Sequence, residues 1–168
     1  MLRLLTAGLA CFTLSTPAAS QVVAQFVEGA PKDRFVFEVT GGCPLGPARL
    51  EIDLTGSNGG LIFDVTASGA GVEVYQPFEL VSGAERVIAT SEVEDGSQRL
   101  SLDVDGIDPG TRIAFTIDVD DTIGAREITV SGAEITGAQA RLVISGVGYT
   151  GIFDALGRAE IPFAACLS

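Results

Sequence analysis

The stretch Thr111-Arg112-Ile113-Ala114-Phe115-Thr116-Ile117-Asp118-Val119-Asp120-Asp121-Thr122 decides how the chain is read. Ile113, Phe115, Ile117 and Val119 alternate with Arg112, Thr116, Asp118 and Asp120. A period of two therefore sends four apolar side chains to one face and the carboxylates to the other. The pattern predicts a half-buried strand whose end is crowded by Asp118, Asp120 and Asp121.

Working outward, Leu100, Leu102 and Val104 alternate with Arg99, Ser101 and Asp103, and Glu94-Asp95-Gly96-Ser97 reads as the turn that pairs this run antiparallel with 86–93. Asp105-Gly106-Ile107-Asp108-Pro109-Gly110 is a corner of the kind common in immunoglobulin-like modules. Nearer the start, Phe35, Phe37 and Val39 alternate with Arg34, Val36 and Glu38, and Leu50, Ile52 and Leu54 with Arg49, Glu51 and Asp53. The run 61–65 is expected to return beside 50–54, and 21–27 to form a first, edge strand. A short strand is expected at 72–75, and Pro77 marks an edge or a crossing between sheets. Downstream come a short echo over 127–138, a strand at 141–145, a glycine-punctuated loop over 146–157 and a closing strand at 159–164. No stretch sustains a helical period. Turn residues at intervals of about ten predict an all-β chain, an immunoglobulin-like antiparallel β-sandwich of about nine or ten strands.

Residues 1–20 carry Arg3, an apolar run and then Pro17-Ala18-Ala19-Ser20, which is the order of an export signal; the run is too short to span a bilayer. The expectation is a leader over 1–20, a single domain over 21–168, no membrane span in the mature chain, and a periplasmic or secreted location. Alternating strands in an exported chain also raise a membrane barrel. The absence of Trp and the presence of only two Tyr leave no aromatic girdle for one. Cys43 and Cys166 are the two cysteines left once Cys11 departs with the leader. An oxidising exterior favours a Cys43–Cys166 disulfide, worth about 5 kcal/mol in the chain-entropy picture because its loop is long. A metal-binding or reactive thiol pair is the minor alternative.

The chain holds 22 acidic against 10 basic residues, a formal charge of −12. Such a field repels nucleic acid and anionic lipid and favours cations; its plainest use is solubility. With no His, the usual general base and zinc ligand are missing, which removes Ser-His-Asp and Cys-His chemistry. Lys32, the single lysine, sits in a turn with nothing to lower its pKa. The acids suit calcium, a hard cation that takes six to eight oxygens. Asp118, Asp120 and Asp121 are the candidate ligands, while Asp103, Asp105 and Asp108 at the preceding corner form a separate acidic group. Solvated or turn-capping aspartates are the plain alternative.

The segments Glu28-Gly29-Ala30-Pro31-Lys32-Asp33-Arg34-Phe35, Gly60-Leu61-Ile62-Phe63-Asp64-Val65, Val72-Glu73-Val74-Tyr75-Gln76-Pro77-Phe78 and Phe115 to Thr122, with Arg126-Glu127-Ile128-Thr129-Val130-Ser131, resemble a family of small exported bacterial proteins labelled "aggregation factor core". The resemblance covers nearly all of 21–168. It implies adhesion associated with calcium and supplies no catalytic motif. The expectation is a non-enzymatic module for adhesion, aggregation or partner binding, calcium-assisted, whose partner is a protein, a surface polymer or its own kind and not nucleic acid. The alternatives are a hydrolase of extracellular polymers using an Asp/Glu pair, and a purely structural envelope module.

Overall fold

In a computed structural model, described for residues 20–67, 75–123 and 129–163, the chain is an antiparallel β-sandwich of eleven strands. Sheet I has the order β11 (Arg158–Phe163), β1 (Ser20–Val27), β2 (Asp33–Thr40), β8 (Arg112–Asp120), β4 (Ile62–Asp64), with β5 (Glu79–Ser82) also paired to β8. Sheet II has the order β10 (Val147–Ile152), β9 (Gln139–Ile144), β3 (Ala48–Asp53), β7 (Arg99–Val104), β6 (Val87–Thr90). Among the described residues no helix is long and apolar enough to cross a membrane.

The expected alternation holds in the principal strands. Phe35, Phe37 and Val39 are buried while Arg34, Val36 and Glu38 are not, and Leu50 with Ile52, and Leu100 with Leu102, point inward likewise. A row of phenylalanines crosses the inner face of sheet I, since Phe26 stands opposite Phe35 and Phe35 opposite Phe115. Their ring centroids are 5.2 Å apart in both pairs, and Phe63 and Phe153 meet Phe35 at 6.5 and 6.4 Å. On the outer face of sheet II, cross-strand partners are of opposite charge. Arg49 pairs with Asp103 at 2.7 Å, Arg99 with Asp53 at 3.0 Å and Arg141 with Glu51 at 3.2 Å.

Four expectations change. The strand count is eleven and not nine or ten, because 147–152 is strand β10. Ser145 and Gly146, at φ 49° and 83°, make the tight turn from β9. The glycines that suggested a loop have a packing reason: a Cβ on Gly151 would sit 2.5 Å from the Glu160 carbonyl oxygen, where β10 passes β11. Strand β1 is not an edge, for it lies between β2 and β11. The 61–65 run does not return beside β3; it crosses to sheet I as β4, because the inward Phe63 completes the aromatic cluster. Finally, part of the 127–138 echo is a helical turn, α1 (Gly132–Ile135). There the Glu134 carboxylate accepts the Ser131 backbone N–H at 2.7 Å.

The turn at 94–97 closes as expected, with the Ser97 N–H donating to the Glu94 carbonyl. The loop around it also bonds to β4, through Phe63 N–H to Ser97 O and Gly96 N–H to Phe63 O. The leader over 1–20 lies, apart from Ser20, outside the described residues, as do the 72–74 part of the short expected strand and Cys166 of the expected bridge. Cys43 itself is buried.

Phe35 touches four other rings, so Phe35→Ala should lower stability by about 3–5 kcal/mol in chemical denaturation. Val36→Ala, on the other face of the same strand, should cost well under half of that. Equal losses would mean that the aromatic row is not the centre of the core.

Candidate functional site

Strand β8 is buried along both faces from Ile113 to Asp120, not along one. Its inner face holds Ile113, Phe115, Ile117 and Val119; its outer face holds Ala114, Thr116, Asp118 and Asp120. Strand β4 pairs with its acidic end, setting Ile62 opposite Asp120, Phe63 opposite Val119 and Asp64 opposite Asp118. Phe63 and Val119 belong to the core, so the pleat turns Asp64, Asp118 and Asp120 together to the other face.

One carboxylate oxygen from each of these three residues lies within 4.8 Å of the others. Asp64 is fully buried, and Asp118 and Asp120 are 7 % and 4 % exposed. Neither oxygen of Asp64, nor Oδ2 of Asp118, has a hydrogen-bond partner. Two further acids flank the group. Asp33, buried at the start of β2, accepts the Gly29 N–H at 3.0 Å. Asp95 accepts the N–H groups of Val65 and Thr66 at 3.0 and 3.2 Å, tying its loop to the end of β4.

Burial of the carboxyls and their mutual repulsion shift their titration upward. Asp118 rises from 3.8 to about 7, first through burial and then through the charges of Asp120 and Asp64. Asp64 rises to about 6, through burial, the adjoining Asp95 carboxyl and Asp120. Asp33 rises to about 8, through burial, opposed by the Gly29 N–H, with Asp118 and Asp120 adding to the rise. Two unit charges 4 Å apart repel by about 4 kcal/mol at an effective dielectric of 20, so ionised carboxylates at this spacing destabilise one another.

The residues fit one kind of cation. The donors are all oxygen, with no nitrogen or sulfur in the group, and three carboxylates offer three to six oxygens. That suits a hard divalent ion of the calcium class and not zinc. Of the three residues that sequence singled out, Asp118 and Asp120 are brought together; Asp121 is buried but lies outside the group, and Asp64 is in its place. The second acidic group is neutralised by arginine: Asp103 pairs with Arg49, while Arg86 pairs with Asp108 at 2.9 Å and Asp105 at 3.9 Å.

A cavity of about 350 Å³ on the outer face of sheet II, lined in part by Glu51, Asp53, Arg99 and Arg141, is the natural place to seek a hydrolytic acid pair. Two of its three carboxylates, Glu51 and Asp53, are matched by Arg141 and Arg99, which leaves Glu92 as the one acid of the lining outside an ion pair. Burial pushes Asp53 up, but Thr55 and the Arg99 guanidinium outweigh it and leave the carboxyl below its ordinary value. The raised acids Asp33, Asp64 and Asp118 do not line this cavity.

Comparison with known proteins finds no matching family model, no matching curated protein and no matching solved structure. A role for the chain must be argued from its own residues.

The pH dependence has a definite sign. A carboxyl whose folded pKa is raised holds its proton more tightly in the folded state, so it adds stability that is full below the unfolded value of 3.8. That stability is lost as pH climbs through about 6, 7 and 8 for Asp64, Asp118 and Asp33. Metal-free protein should therefore melt at progressively lower temperature between those limits. Asp118→Asn should flatten the slope, and a melting temperature that rises across the same window would contradict the shared-proton picture.

Proposed function

We propose that this chain is an exported, non-enzymatic β-sandwich module for adhesion, aggregation or partner binding, assisted by a calcium ion held by Asp64, Asp118 and Asp120. The observation that carries the reading is the buried carboxylate group with three unpartnered oxygens, joined across β4 and β8. A buried carboxylate oxygen without a hydrogen-bond donor is costly, and a divalent cation would remove that cost at Asp64 and Asp118 together. An ion there would tie β4 to β8, and through Asp95 the loop that follows β6. It would order one end of the sandwich, so calcium acts on the partner surface by fixing the fold.

The family resemblance points the same way, since its label belongs to calcium-associated adhesion. The leader-like 1–20 and a Cys43–Cys166 bridge suit a periplasmic or secreted site. The charge of −12 disfavours nucleic acid as a partner. The hydrolase alternative loses ground because Glu51 and Asp53 of the sheet II cavity are neutralised by arginine, leaving Glu92 without a second free acid beside it in that lining. A purely structural envelope module would keep the ion and lack the partner.

Two measurements test the reading. Adding calcium to chelator-stripped protein should raise the melting temperature, by the equivalent of about 2.7 kcal/mol at a hundredfold excess over the dissociation constant. Asp64→Asn should abolish that response while leaving the metal-free protein no less stable, since it removes a buried charge. A wild-type melt indifferent to calcium ends the cation reading. Protein that stays monomeric with and without calcium, and retains no envelope or surface component, ends the adhesion reading.

A further inference from the structure

Arg34 is the exception in the charge pattern of this protein. Every other basic side chain among the described residues has a carboxylate within 3.2 Å, whereas Arg34 has no ion pair and no hydrogen bond. It is exposed on the outer face of sheet I, in a chain where acids outnumber bases by more than two to one. Glu79 stands opposite Thr116, as Arg34 does from the other side, but Glu79 pairs with Lys32. The Thr116 hydroxyl between them is buried and has no partner.

The ground around Arg34 is concave, with valines among polar side chains. A groove of about 390 Å³ is lined by Val23, Val27 and Val36 and by Gln25, Arg34 and the Glu38–Arg112 pair. A second hollow of about 250 Å³ continues past Arg34 and Arg112 to Val81 and Ala114. Val27 and Val81, at the two ends, are 44 % and 45 % exposed. The depression crosses β11, β1, β2, β8 and β5, a span of about 19 Å at the usual strand spacing, which about six extended residues would cover.

We infer that the outer face of sheet I is a docking groove for an extended aliphatic segment of a partner protein that carries one carboxylate, placed to pair with Arg34. Arg112 and Arg158 are held by Glu38 and Glu160, so the groove offers one uncommitted positive charge. The chain's net charge works against polyanions, and screening over about 8 Å at physiological salt leaves a single carboxylate free to approach. The floor has no aromatic ring on which a sugar could stack, and valines suit aliphatic side chains. A bidentate guanidinium–carboxylate pair then fixes the register of the segment. This inference names a partner class for the binding role proposed above and does not depend on the cation.

The test is fluorescence anisotropy with a short labelled peptide of alternating Val and Thr bearing one central Glu, and with its Gln twin. The Glu peptide should bind saturably and weaken with salt. The Gln twin, and the Glu peptide on Arg34→Gln protein, should each lose about tenfold in affinity, and the two changes together should lose no more than either alone. Val81→Asp, at the far end of the depression, should weaken the Glu peptide too. Absence of binding, equal binding of the twin, or tighter binding of a polyuronate than of the peptide overturns the inference. The calcium-induced melting shift of Arg34→Gln protein, expected to be unchanged, keeps this result separate from the cation reading.

Discussion

Desolvation of β8 is the constraint on which sheet I depends. Its inner side chains meet the phenylalanine row, and its outer side chains, from Ala114 to Asp120, are shut away from water as well. The inner face supplies stability in the ordinary way, by removing large apolar surfaces from solvent. The outer face does the opposite at its acidic end, where charged groups are desolvated beside one another. The same strand thus holds the sandwich together and stores an unfavourable arrangement that something else has to neutralise. Protons held by Asp33, Asp64 and Asp118, whose titration is shifted upward, relieve it in part.

Most of the fold was legible because period-two alternation is a direct consequence of the pleat. The inward sets Phe35-Phe37-Val39 and Leu50-Ile52 needed no tertiary information. What could not be read was which strand lies beside which. Strand β4 has three residues, and nothing local in Ile62-Phe63-Asp64 reveals that it leaves β3 for β8. That one misplacement hid Asp64, the residue that turns two acids on a strand into a three-sided group. The faint local signal was an aspartate inside an apolar run, a position where a charge has no reason to be unless it has company. Asp121 was drawn in by adjacency along the chain, although the pleat turns it away from Asp118 and Asp120. Strand β10 was hidden by its glycines, whose cause is the close passage of β11.

The two outer faces manage charge by different rules. On sheet II, arginines and carboxylates alternate across neighbouring strands in well-formed exposed pairs, each worth little individually. Sheet I has such pairs too, Arg112 with Glu38 and Arg158 with Glu160, but it also gathers three buried aspartates at one end and leaves the Arg34 side chain unpaired farther along. Among the described residues, every basic side chain but Arg34 is paired with one of the protein's own carboxylates. The two departures from that pattern are the buried aspartate group and Arg34, and the cation and the docking segment proposed above are placed at them.

The position of β1 has a temporal consequence. The earliest strand of the described chain hydrogen-bonds to the last, with Ser20 opposite Phe163 and Gln25 opposite Arg158. A ribosome delivers β1 long before β11, so sheet I cannot zip up progressively as the chain emerges. Long-range pairing of this sort slows the search for the native state.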